Sequence, residues 1–161
     1  MLHRVSIAAA VVAAALCLPA AAHAQNPRGE AKLALGGKTV SVDYGRPSLR
    51  GRDMLGKAEV GQEWRMGADG ATTLNTTGEL SFGAVKVPAG DYTLKARKVS
   101  ASDWVLKFEK DEKAVAEVPL QATSLAQSVE MFTIDLAQEQ GQGVFRMSWG
   151  TRALAARFTA K

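Results

Sequence analysis

Four arginines fall within one stretch of the chain, GRPSLRGRDMLGKAEVGQEWRMGADGATT, residues 45–73: Arg46, Arg50, Arg52 and Arg65, the last beside Trp64. A guanidinium is a planar fork of donors that matches carboxylate, sulfate or phosphate, and it stacks on aromatic rings. Arg46, Arg52 and Arg65, with Trp64 as an apolar wall, therefore read as a shallow site for an anion or a sugar acid. Tyr44, Arg50 and Asp69 are its secondary members. A second reading makes the same residues a loop clamp. In it the arginines bond to loop carbonyls, or to Asp43, Asp53, Glu63 or Asp69, and no ligand is needed.

The carboxylates allow a different chemistry. A glycosidase needs two acids roughly 5 to 9 Å apart. Asp43, Asp53, Glu59, Glu63 and Asp69 lie near the arginines, but no spacing singles out a pair. Tyr44 or Tyr92 could serve a lyase as base, although Tyr92 follows a turn and reads more simply as a core or corner tyrosine. Other chemistries are closed off. The one cysteine, Cys17, and both histidines, His3 and His23, lie in the first 24 residues. Residues 25–161 therefore offer no Ser-His-Asp or Cys-His nucleophile and no histidine or thiolate metal site. KDEK and ADG lack the alternating acids of a calcium loop. No cofactor and no metal are expected. Asn75 to Thr77 fits a glycosylation sequon, a match common by chance.

The first residues read as a targeting segment. Arg4 precedes an almost wholly apolar run from Val5 to Leu18, shorter than the ~20 residues of a spanning helix. Ala22 and Ala24 flank His23 in the small-x-small pattern of a cleavage site. This predicts a signal peptide over 1–24, cut before Gln25, and a periplasmic or secreted protein with no stable membrane insertion afterwards. Without Arg4 the chain carries 19 basic against 16 acidic side chains, a net of +3. The charges are interspersed, which disfavours nucleic acid and allows an anionic small molecule or glycan as partner. A protein partner is not specified.

The elements that must position these residues are strands. Apolar residues recur at a period of two along Thr39–Tyr44, Asp91–Arg97, Trp104–Glu109, Val129–Leu136, Phe145–Trp149 and, after a short turn at Gly150, Leu154–Phe158. The threonine-rich Ala71–Thr77 reads as a further strand. Gly36 and Gly37 predict a hairpin turn, and Pro88 to Gly90 another. Leu80–Val87 reads as one strand bent at Gly83, and Val115–Leu120 as a short strand placed at an edge by Pro119. Met54–Val60 suggests one short helix, weakened by Gly56. Trp104 and Trp149 fall on the inward positions of their strands. About nine to ten short strands predict a single all-β domain over 25–161, an antiparallel β-sandwich or jelly-roll-like barrel.

Three segments together, VDYGRPSLRGRDMLG, EWRMGADGATT and VPAGDYTL, resemble the signature motifs of a bacterial exported family, domain of unknown function family 2911. Tyr44, Arg46, Pro47, Gly51 and Arg52 match its first motif. Trp64, Arg65, Gly67, Ala68, Ala71 and Thr72 match the second, and Pro88, Gly90 and Tyr92 the third. Asp69 and Gly70 stand where the family has Asn-Glu, so the acid is shifted by one position and shortened. The resemblance implies location and fold rather than a reaction. Three functions follow as expectations. The first is a non-enzymatic binding or envelope-associated module for an anion or carbohydrate. The second is a His/Cys-independent glycan hydrolase or lyase. The third is a structural or interaction subunit.

Overall fold

The computed structural model describes residues 25–161, and every regular element among them is a strand. The signal-peptide segment, 1–24, lies outside the described residues. β1 (Arg28–Leu35) and β2 (Lys38–Gly45) form the first hairpin. Its turn pairs Leu35 with Lys38, and Gly36 and Gly37 both take positive φ, 57° and 75°. A two-residue turn of this kind follows the right-handed twist of the flanking strands, and glycine enters it without strain.

β3 (Glu63–Trp64), β4 (Thr72–Thr76), β5 (Leu80–Phe82), β6 (Val85–Val87), β7 (Gly90–Lys98) and β8 (Trp104–Lys110) follow, then β9 (Lys113–Glu139) and β10 (Gln142–Ala160). The sheet order is β1-β2-β4-β7-β8-β9-β10-β5-β6, antiparallel throughout, with β3 beside β7. The sheet does not close into a barrel. It folds around one core, to which almost every strand contributes. Phe108, Phe132, Phe145 and Phe158 lie fully buried in it; each such ring contributes about 1.5–3 kcal/mol through lost water contact.

Three local expectations need correction. Leu80–Val87 is a hairpin of β5 and β6, turned at Gly83 with φ 61°, rather than one bent strand. Met54–Val60 is a run of turns rather than a helix; the Asp53 carboxylate takes the Gly56 N–H at 2.8 Å and caps a single turn that does not continue. The last two strands are long rather than short, at 27 and 19 residues. Val115–Leu120 and Val129–Leu136 are the two ends of β9. The first end pairs with β8 and the second with β10. Pro119 pairs with Val105 of β8 and lies beyond the last β10 pair, Ala155 with Gln121, so one side of the strand is an edge there.

Both long strands bend. Arg146 and Arg157 of β10 each reach Glu139, at 2.9 and 3.0 Å. An extended strand would hold them roughly 35 Å apart, so β10 must turn back on itself. It does so at Gly150, φ 63°, where the register with β9 shifts on either side. The bend lets both ends of the hairpin face one core.

Candidate functional site

Trp64 is positioned by β3, which is only two residues long. Neighbouring side chains in a strand point to opposite faces, and here both faces are clamped. Inward, Trp64 stacks nearly parallel on Trp149, with centroids 5.6 Å apart, and meets the Phe132 ring edge-on at 4.9 Å. Outward, Glu63 accepts a hydrogen bond from Lys107 and lies 3.7 Å from Lys95. Lys95 and Lys107 are directly opposed on β7 and β8, an arrangement that repels. Glu109, only 5% exposed, offsets this by pairing with both, at 2.8 and 2.9 Å. The Lys107 hydrogen bond holds the Glu63 carboxyl below its usual value, and the Lys95 bond does the same for Glu109. The same hydrogen bonds raise both lysines.

The connection before β3 covers the inward side. The turn at Asp53–Gly56 drops Leu55 into the core, and the Lys57 N–H bonds the Asp53 carbonyl at 3.2 Å. Further on, the Gly61 N–H bonds the Lys98 carbonyl at 2.7 Å, and Lys98 Nζ donates to the Ala58 carbonyl at 3.0 Å. The connection is thus tied along the end of β7. Beneath it is a cavity of about 280 Å³. Its floor is Leu55, Ala58, Trp64 and Trp104, and its rim carries Arg52, Lys57, Gln62 and Asp53. Asp53 is the one carboxylate among these lining residues, and one of its oxygens is already engaged by Gly56. Apolar walls under a few cations suit a ligand that has both a ring face and a negative charge.

Of the residues singled out in the sequence, Arg52 and Trp64 meet at this cavity. Arg52 also donates Nε to the Leu49 carbonyl at 3.2 Å. The other arginines are held elsewhere. Arg46 reaches β9, donating to the Phe132 carbonyl at 3.3 Å and the Thr133 hydroxyl at 3.1 Å. Arg65 donates to the Asp69 carbonyl at 3.1 Å. Arg50 is exposed with φ 50°, and its N–H bonds the Glu130 carboxylate. Tyr44 is buried and donates to the Ile134 carbonyl at 3.0 Å, while the Asp69 carboxylate accepts from Asn26. Tyr92 donates to the Pro88 carbonyl at 2.8 Å, bracing its own turn, and burial pushes its phenol up. Lys57 and Trp104 were not foreseen as members. Trp104 is a core residue at 5% exposure, yet one side of it walls the cavity. Nothing in the spacing marks Lys57.

Two glycines explain how the arginine-bearing segments fit together. A Cβ on Gly45 would lie 2.0 Å from the Ala68 carbonyl oxygen, and one on Gly67 would lie 2.8 Å from the Gly45 carbonyl oxygen. Backbone packs on backbone here, which only glycine permits. A side chain at Gly70 would start 3.1 Å from the Arg28 guanidinium, which pairs with Asp43 instead. Among the described residues no group of three His, Cys, Asp or Glu side chains converges to hold a metal.

The family model for the protein of unknown function DUF2911 matches residues 26–158. No curated protein and no solved structure matches the chain.

Proposed function

The chain belongs to the DUF2911 family of proteins of unknown function, and we propose that it is a binding protein for a small anionic ligand of sugar-acid type. The ligand ring lies against Trp64 and Trp104, and its acid group meets Arg52 and Lys57. One observation carries this reading: two tryptophans and two cations line a single cavity under the connection. Among the lining residues one carboxylate is present, so the cavity does not offer the acid pair that glycoside hydrolysis requires. The carboxyls with displaced ionisation, Glu63, Glu109 and Glu139, are all displaced downward, whereas a general acid needs the opposite.

The test uses the tryptophans themselves. Titration with glucuronate, galacturonate and their neutral sugars should change intrinsic fluorescence for the acids. A saturating acid at a hundred times its dissociation constant should also add about 2.7 kcal/mol to stability, roughly 5–15 °C in melting temperature. Arg52→Gln should lose both responses. Equal responses to acid and neutral sugar, or a full response in the variant, would refute the reading. In the same reading the protein works outside the cytoplasm, which the apolar run from Val5 and the small residues Ala22 and Ala24 support. N-terminal sequencing of protein from the native host should begin at Gln25; a start at Met1 in the cell interior would contradict it.

A further inference from the structure

A second cavity, of about 210 Å³, shares Leu55 and Trp104 with the first. Its polar lining comes from Lys98, Ser102, Thr123, Ser124 and Arg152. Lys98 stands at the divide. Its Nζ lies 6.0 Å from the Trp104 ring centre and gives one of its three N–H bonds to Ala58, a residue of the first cavity. Arg52, Lys57, Lys98 and Arg152 therefore serve adjoining spaces. Among the described residues none of the four has a carboxylate within ion-pair distance. Each cavity alone is smaller than the ~300 Å³ at which pockets for whole ligands begin; joined, they exceed it.

Resting on the binding reading above, we propose that the two cavities are adjoining subsites of one cleft, and that the ligand is a segment of an acidic polysaccharide at least two sugar residues long. One residue lies under Arg52 and Lys57, and the next reaches Lys98 and Arg152. Gln62, Ser102 and Ser124 supply neutral donors and acceptors for hydroxyl groups along the path. An extended peptide is disfavoured because it would seek an open strand edge. Here Ala122, Thr123 and Ser124 of β9 are already paired with Leu154, Ala153 and Arg152 of β10.

Calorimetric titration with galacturonate and its α-1,4-linked trimer decides the matter. The trimer should bind at least tenfold tighter than the monomer, about 1.4 kcal/mol. Arg152→Gln should bring trimer affinity down to the monomer value, and Arg152→Lys should restore part of the gain. Arg52→Gln should weaken both ligands. Arg152 is exposed, so melting temperatures should stay level across the Arg152 variants, separating lost binding from lost folding. Equal affinity for monomer and trimer, or no effect of Arg152→Gln, would overturn the two-subsite inference and leave the binding reading standing. Binding of neither acid would overturn both. Tighter binding of oligoglutamate or oligothymidylate of equal charge would overturn the polysaccharide assignment.

Discussion

Arg52 and Trp64 meet at the same cavity but contribute differently to the fold. Arg52 is exposed and makes one carbonyl bond, so Arg52→Gln should change stability by no more than about 0.5–1 kcal/mol. Trp64 carries the stack on Trp149 and the edge contact to Phe132. Trp64→Ala should cost about 3 kcal/mol in urea unfolding, so a binding defect in that variant alone would prove nothing about the ligand. The glycines give a sharper test. Gly45→Ala drives a methyl into the backbone of Ala68 and should cost more than about 2 kcal/mol. Gly56→Ala meets the Asp53 carboxylate first and should cost about 1 kcal/mol, the worth of the turn bond it breaks. Equal costs for the two would show that the Met66–Ala68 backbone is free to move away from Gly45.

At the scale of elements, β3 is held by outward ion pairs as well as by Trp64. Glu63 and Glu109 are held below their usual 4.5 by Lys107 and Lys95. A carboxyl depressed in the folded state stabilises above its unfolded value, and the benefit is lost as pH falls through the folded one. Lys95 and Lys107 are raised above 10.5, so their benefit is complete below that value and is lost as pH rises through the folded one. The melting temperature should therefore be level at neutral pH and fall on acidification below 4.5. Glu109→Gln should lower the neutral plateau and flatten the acid limb. An acid limb unchanged in Glu109→Gln would place the titrating groups elsewhere. The bend of β10 is a second element-level device. Gly150→Ala puts a Cβ at φ 63° and should cost about 1–2 kcal/mol, read as a lowered urea midpoint.

For the molecule as a whole, one core has a direct consequence. Trp64 and Trp149 stack together beside Phe132, and Trp104 lies in the same cluster. Fluorescence, near-UV and far-UV dichroism should then trace one coincident unfolding transition. An earlier fluorescence change would mean that the β3 region opens as a separate unit. The bound state should be salt-sensitive as well, because the rim cations are exposed and partly screened at physiological ionic strength. Affinity for the acidic trimer should fall as salt rises, while that of any neutral analogue should not.

The residue pattern of 25–161 determined the all-β architecture, the Gly36–Gly37 hairpin and the inward tryptophans, because each rests on a local rule. Side chains alternate along a strand, and glycine reaches positive φ. The absence of Cys and His over these residues excluded whole chemistries without any coordinates. The continuity of β9 was not legible. Its middle, Gln121 to Ser128, is largely polar and breaks the alternation, and only pairing with Arg152 to Ala155 of β10 keeps part of it in a strand. The site was half legible. Guanidinium chemistry marked Arg52 and Trp64, but Arg46 and Arg65 carry the same chemistry and bond to carbonyls elsewhere. Which arginine faces a cavity depends on distant partners such as Phe132, and on Trp104 arriving from another strand. Those are long-range contacts, and tertiary packing alone decided them.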